Sequence, residues 1–341
     1  MDTFIGILNY LVFFAITAGI YAVLCLGLNI QWGYTGLFNI GIAGFFAVGA
    51  YTSALLSGPP PGPLDWRTVG GFQLPWVVGL LGAIIASGII AFFIGLLTLR
   101  LKEDYLAIAT IGIAEVIRLI LKNEGWLSNT VWGIKHIPSP LHQPIEAGVS
   151  SFLKGHPQLS PWLVHFISNA YNWFYLALVL VILGLLYWTS ERSIRSPWGR
   201  VLRTIREDEA VAAVSGKNVF SFKLQSFVLG AMVMGMAGSL YAHYAKFIDA
   251  SSFEPLYGTF FIWVMLIVGG SGNSKGAVLG AFVVWGIWAG TEFLTGPLAL
   301  SGAQAGALRV IVVGVLLELT LLLRPQGILG EEKIVSRMLK K

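Results

Sequence analysis

Gly216-Lys217-Asn218 is the step of this chain that comes nearest to nucleotide chemistry. A phosphate-binding loop needs Ser or Thr after its Gly-Lys pair to hold magnesium, and a glycine five residues ahead to open the cradle. Asn218 and Val211 occupy those two positions. The run Gly269-Gly-Ser-Gly-Asn-Ser-Lys-Gly276 is rich in glycine but has neither the Gly-Lys-Ser/Thr step nor the dinucleotide spacing. No HExxH, GxSxG or CxxC pattern occurs. The chain is therefore read as binding no ATP and doing no covalent chemistry. His136, His142, His156 and His165 cluster in or near residues 122–170, but their spacings match no standard metal-ligand pattern and no cysteine accompanies them. They read as ordinary loop histidines, and no metal site is assigned. Cys25 is the single cysteine and allows neither an intrachain disulfide nor a cysteine cluster.

Charges inside apolar runs are the other group with chemical potential. Glu115 and Arg118 stand at i, i+3, where they can pair on one helix face. Glu292, Arg309 and Glu318 also interrupt apolar runs, and His243 sits near the end of one. Charge at membrane depth is costly and marks either a transport function or an ion pair that holds structure together. Both roles stay open here.

The elements that must position these residues follow from composition. Of 341 residues, 56% are hydrophobic and only 11% charged, with a mean hydropathy of +0.75. A soluble domain carries about 25% charged residues, so this chain cannot clothe a soluble surface. Forty-one glycines and twelve tryptophans suit close helix packing and membrane interfaces. The apolar runs are continuous rather than alternating, which excludes a transmembrane barrel. The expected fold is all-α: a polytopic helical membrane protein with broken glycine-rich segments. Apolar runs at 4–28, 36–56, 75–99, 105–121, 171–189, 222–245, 257–271, 276–294 and 303–323 predict about nine spans, with eight to ten as the range. Lysines and arginines concentrate in 190–223 and after residue 323, so both are expected to be cytoplasmic. Four spans separate them, an even number. Span parity then puts 122–170 and the N-terminus outside, and the net charge of +5 reflects cytoplasmic retention rather than a nucleic-acid partner.

Ser196–Gly216 is the most informative polar segment. A short helix is expected between Arg200 and Val214, with Arg200, Arg203 and Arg206 along one face, then Glu207, Asp208 and Glu209, and Gly216 as a left-handed stop. It is either a solvated connector or a docking helix that transmits a partner's movement to the flanking spans. Its Glu209-Ala-Val-Ala-Ala-Val-Ser-Gly216 core resembles the Glu-Ala-Ala…Gly core of the cytoplasmic coupling loop of bacterial ABC-importer permeases. Three further stretches resemble the LivM-type branched-chain amino-acid permeases. They are Gly33-Tyr-Thr-Gly-Leu-Phe-Asn-Ile-Gly-Ile-Ala-Gly-Phe-Phe-Ala-Val-Gly-Ala-Tyr-Thr52, Tyr105-Leu-Ala-Ile-Ala-Thr-Ile-Gly-Ile-Ala-Glu-Val-Ile-Arg-Leu119, and Gly269–Gly280 with the span before it. Order and spacing match across roughly residues 20–325. The chain departs from the family at Asn39-Ile-Gly-Ile-Ala-Gly44, where a Ser/Gly-His pair is common.

The resemblance implies a permease domain over 1–325, with a coupling loop at 190–221 and a cytoplasmic tail at 326–341, in the inner membrane. It implies a LivH-type partner permease, two cytoplasmic ATPases that carry the ATP and magnesium, and an extracytoplasmic binding protein. No cofactor is expected in this chain. Branched-chain or other neutral amino acids would move inward by alternating access, their zwitterion met by helix ends. Arg203, Arg206, Glu207, Asp208, Glu209 and Gly216 become the ATPase-coupling residues. Gly33, Gly36, Asn39, Gly41, Gly44, Gly269, Gly270 and Gly272 become candidates for the translocation path, with close helix packing as the competing role. Close relatives that carry urea or short amides give one alternative. An ion-coupled transporter using Glu115, Glu292 or Glu318 gives another.

Overall fold

The computed structural model describes residues 2–63, 65–156, 158–295 and 301–331. The charge-free N-terminal run forms α1 (Asp2–Leu28), and three helices follow: α2 (Ile42–Ser57), α3 (Trp76–Thr98) and α4 (Glu103–Asn123). The polar stretch after them holds α5 (Gly125–Ser128), α6 (His142–Gly155) and α7 (Pro161–Ser168). Then come α8 (Ala170–Ile194), α9 (Pro197–Glu207), α10 (Glu209–Val214) and α11 (Val219–Ala245). The chain continues through α12 (Phe261–Gly269), α13 (Ser274–Thr295) and α14 (Gly302–Leu323). The only strands among the described residues are β1 (Ile134–Lys135) and β2 (Phe247–Ile248), which pair antiparallel.

A helix occupies every apolar run, yet among the described residues six are long and apolar enough to cross a membrane: those at Gly6–Gly33, Trp76–Thr98, Ala170–Ile194, Val219–Ala245, Ser274–Phe293 and Gly302–Leu323. The expected nine is not reached by this measure, for physical reasons. Helix α2 has 16 residues, about 24 Å of rise, against a hydrocarbon core of ~30 Å. The apolar helix Leu256–Gly269 is shorter still. Helix α4 carries Asp104, Glu115, Arg118 and Lys122 along its length. The two short helices adjoin the glycine breaks, so the breaks take length from their spans.

Helix α1 is the axis. Its Val23, Leu24, Cys25 and Leu28 are fully buried, and α8, α11, α12 and α13 pack around it. Helix α14 lies at the rim, with 6% of its span buried. Helix α11 is wedged between α2 and α3, and glycine makes that possible. A Cβ on Gly49 would sit 2.5 Å from Gly235 Cα, one on Gly235 2.6 Å from Ser87 Cβ, and one on Gly238 2.7 Å from Ala50 N. Small residues at such crossings let backbones approach where no hydrophobic drive exists between helices.

Loop contacts sort the connections into two ends. At one end Thr68 N donates to Trp126 O at 2.9 Å and Ile137 N to Lys246 O at 3.1 Å, joining 58–75, 124–137 and 246–248. The His243 side chain, fully buried, is tied to this end through Nδ1 and Pro138 O at 2.6 Å. Because a carbonyl only accepts, Nδ1 carries the proton and Nε2 is left to accept from Ser53 Oγ at 2.8 Å. His243 is thus a core polar link. At the other end lie α9, α10, both glycine breaks and the segment after α14, so the basic segment and the start of the tail share one end, as span parity requires.

Two local expectations change. The single helix over Arg200–Val214 is two helices, broken at Asp208 (φ −156°, ψ 109°). The reason is chemical: the Asp208 carboxylate accepts from Ala210 N and Val211 N at 2.8 and 3.1 Å, so it starts α10 as an N-cap instead of continuing α9. The 122–170 stretch, read from sequence as a polar extracytoplasmic loop, holds the helices α6 and α7. The tail residues Lys333, Arg337, Lys340 and Lys341 lie outside the described residues.

Candidate functional site: the glycine breaks and the charged segment beside them

Helix α1 ends in a π-helical turn, Asn29–Gly33, and the chain stays non-helical from Gly36 to Gly41. Irregular backbone at membrane depth must find its hydrogen bonds within the protein, and here short polar side chains supply them. Gln31 Nε2 donates to Phe227 O at 2.7 Å, Asn39 Nδ2 to Gln31 Oε1 at 2.7 Å, and Gly41 N to Asn39 Oδ1 at 2.7 Å. Thr35 Oγ1 and Ser226 Oγ lie 2.6 Å apart, and Ile40 N donates to Thr110 Oγ1 at 3.0 Å. Asn39 is fully buried; its amide braces the break.

The second break turns on Gly270 (φ +114°) and Gly272 (φ +80°), backbone that glycine adopts without steric cost. The two breaks, far apart in sequence, meet in space. Gly272 N donates to Asn29 Oδ1 at 2.9 Å, and the Tyr34 and Ser274 hydroxyls are 2.5 Å apart. A Cβ on Gly33 would fall 2.6 Å from Gly272 N. One on Gly41 would fall 2.6 Å from Thr110 O, one on Gly44 3.0 Å from Ala114 Cα, and one on Gly269 2.9 Å from Gly280 Cα. Gly36 packs against the Arg206 side chain, and Gly270 against the backbone of Gln326 and Leu329. Each of the eight path candidates therefore has neighbouring atoms in contact.

Aromatic rings line the open space beside the first break. Trp32, Phe38 and Trp263 form a triad with centroids 4.9–5.2 Å apart, and Trp263 Nε1 donates to Asn39 O at 3.1 Å. They border a groove of about 920 Å³ whose far walls include Ile111 of α4, Phe260 and Leu321 of α14. Sequence reading passed over these three rings. The available signal was Trp32 and Phe38 flanking the Gly33–Gly36 break.

The charged segment has a buried and an exposed side. Leu202, Ile205 and Ala212 are buried and anchor α9 and α10. Arg206 Nη1 donates to Gly33 O, its Nη2 to Glu331 Oε2 at 2.7 Å, and Arg203 Nε lies 3.6 Å from Glu331 Oε1. Both arginines thus turn toward the breaks. Glu209 pairs with Lys223, an exposed pair of small energetic value. Asp208 caps α10, Glu207 is exposed, and Gly216 has φ +75° with open space where a Cβ would point. Conformation alone demands glycine there. The exposed apolar groups of this segment are Val211 and Val214, the latter 91% exposed.

Glu115 and Arg118 form the expected pair, with Nε to Oε2 at 2.8 Å and Nη2 to Oε1 at 2.5 Å. The pair lies within α4 and ties no second helix. Arg309 stacks over Trp288 at 5.8 Å, and Glu292 and Glu318 are exposed on the helix bundle. Among the described residues, no group of three His, Cys, Asp or Glu side chains comes together as a metal site.

A helical membrane domain whose interrupted spans meet over a charged amphipathic connector belongs to the polytopic permease class. Comparison with known proteins narrows it: the chain belongs to the family described as "Branched-chain amino acid transport system / permease component", whose profile matches residues 10–321. It is 31% identical to the high-affinity branched-chain amino acid transport system permease protein LivM of Escherichia coli K12, over 91% of this chain and 68% of that one. It is 28% identical to the probable branched-chain amino acid transport permease protein LivM of Methanocaldococcus jannaschii, over 95% and 94%. A nucleoside ABC transporter permease protein, NupC of Lactococcus lactis, is 21% identical over 73% and 71%. No solved structure matches the chain.

Proposed function

We propose that this chain is one permease subunit of an ATP-driven importer for branched-chain or other neutral, hydrophobic amino acids. The observation that carries this reading is the aromatic groove at the first glycine break. It runs along α4, α12 and α14; α12 is buried, while α4 and α14 present largely exposed flanks. Such a groove is half of a path, completed when a second, LivH-type permease packs against that flank. Its apolar and aromatic lining suits a hydrophobic side chain, and the dipoles of the interrupted helices suit the zwitterion. The α9–α10 segment rests on the partner ATPases, which hold ATP and magnesium, while an extracytoplasmic binding protein delivers substrate to the opposite end. Alternating access follows from movement of the ATPases beneath this segment.

The test is uptake by the reconstituted assembly of both permeases, ATPases and binding protein. Leucine uptake that needs ATP is the expected result. ATP-independent uptake driven by an ion gradient would instead establish the secondary-transport reading. Nucleosides belong in the same assay, because the flat faces of Trp32, Phe38 and Trp263 also suit a base and one relative is named a nucleoside permease; urea and acetamide complete the set.

Sidedness is a separate prediction. With buried Cys25 replaced by Ser, Ser215→Cys places a thiol on the exposed coupling segment. An impermeant maleimide should label it in inverted vesicles and leave it unlabelled in intact cells. Labelling from outside intact cells would reverse the orientation.

A further inference from the structure

The segment following α14 closes over the second glycine break. Ile328 N donates to Val268 O at 2.8 Å and Leu329 N to Gly269 O at 2.9 Å, so this segment satisfies carbonyls that the end of α12 leaves free. Asn273 Nδ2 donates to Gly330 O at 3.1 Å, which fixes the next residue. That residue is Glu331, and its carboxylate meets Arg206 and Arg203 of α9. The Arg206 guanidinium also donates to Gly33 O at the first break. A Cβ on Gly36 would lie 3.2 Å from Arg206 Cγ, and one on Gly272 3.0 Å from Arg206 Nη1. One side chain of the charged segment therefore touches both breaks and the strap across them.

We propose that Arg206 is a positioning residue for transport, a latch that Glu331 holds against the two glycine breaks, through which movement of α9 and α10 reaches the translocation path. The inference rests on the importer reading above and deepens it. The chemistry favours arginine: its planar fork directs one nitrogen to a backbone carbonyl and another to a carboxylate, and its charge persists at every physiological pH. Helix α9 is anchored by Leu202 and Ile205, so a displacement of this segment carries the guanidinium with it. Gly36 and Gly272 leave no side chain between Arg206 and either break.

Two measurements on the full chain separate this latch from the transport reading. Hydrogen exchange on the purified permease needs no partner: Arg206→Ala and Glu331→Gln should speed exchange at the Ile328 and Leu329 amides by about tenfold, the loss of a charge-assisted bond. Unchanged exchange in both variants would overturn the latch whatever the substrate is. In the reconstituted assembly, Arg206→Ala should lower substrate moved per ATP hydrolysed by about tenfold while hydrolysis continues. Glu331→Gln should act in the same direction more weakly, and Glu331→Asp should restore part of the ratio. Uptake and hydrolysis falling in parallel, or a ratio equal to wild type, would overturn the positioning role. A wild-type assembly that moves no amino acid on ATP would overturn the importer reading and leave the exchange result to decide the latch.

Discussion

Gly238→Leu is expected to cost this permease its fold, giving a polydisperse or aggregated species in size-exclusion chromatography of the detergent-extracted protein. At Gly238 the added Cβ alone would lie 2.7 Å from Ala50 N, and the Phe46 carbonyl is closer still. These neighbours are backbone atoms, so relief requires α11 to move away from α2. That movement also breaks the contact of Gly235 with Gly49 and Ser87, which joins α2, α3 and α11. Overpacking costs roughly 1–3 kcal/mol where side chains can yield and more where backbone must shift. In lipid no hydrophobic gain between helices offsets that cost. The matched control is Gly184→Leu on α8, where nothing lies within 4 Å of the added carbon. That variant should elute and melt like wild type. A monodisperse Gly238→Leu with an unshifted melting temperature would show that the α2–α11 crossing is looser than described.

The second large effect concerns the outer surface of the α9–α10 segment, proposed above to rest on the ATPases. Val214→Asp should weaken assembly with the ATPases by roughly thirtyfold, the consequence of losing an anchor worth about 2 kcal/mol and leaving a carboxylate at a closed interface. Val214 is 91% exposed on a segment otherwise pinned by Leu202, Ile205 and Ala212. The substitution therefore leaves the folded permease undisturbed, which its melting temperature checks. Val214→Ile keeps the apolar contact and should assemble normally. Pull-down of the ATPases together with amino-acid uptake provides the readout. If Val214→Asp binds and transports like wild type, α10 is a solvated connector and the docking surface lies elsewhere.

These two variants also mark what could be read from sequence. The 62-residue stretch from Thr3 to Leu64 contains no Asp, Glu, Lys or Arg, and its apolar runs are continuous rather than alternating, so a polytopic helical membrane protein was legible from composition and pattern. The Gly33–Gly44 and Gly269–Gly276 breaks were equally legible, because glycine clusters between apolar runs mark where helices stop. Their four-stretch pattern carried the family resemblance, and the charged segment at 196–216 stood out against an apolar background. The Glu115–Arg118 pair followed from helical spacing.

Tertiary structure decided everything that depends on which surfaces meet. Glycine leaves no side chain to indicate its neighbours, so composition could not show that Gly33 packs against Gly272; only the distance between the two backbones does that. Arginine on an amphipathic helix reads as solvated, yet Arg203 and Arg206 turn inward because Glu331, more than 120 residues later, is brought to them by the strap over α12. Nor could local sequence place Trp32, Phe38 and Trp263 in one cluster, since a ring's neighbours are set by helix crossings rather than by its own segment. Sequence determined the solvent in which this chain folds and the points at which its helices break. Packing of those broken ends against each other decided which side chains face the groove, because close-packed contacts form between elements whose separation along the chain says nothing about their separation in space.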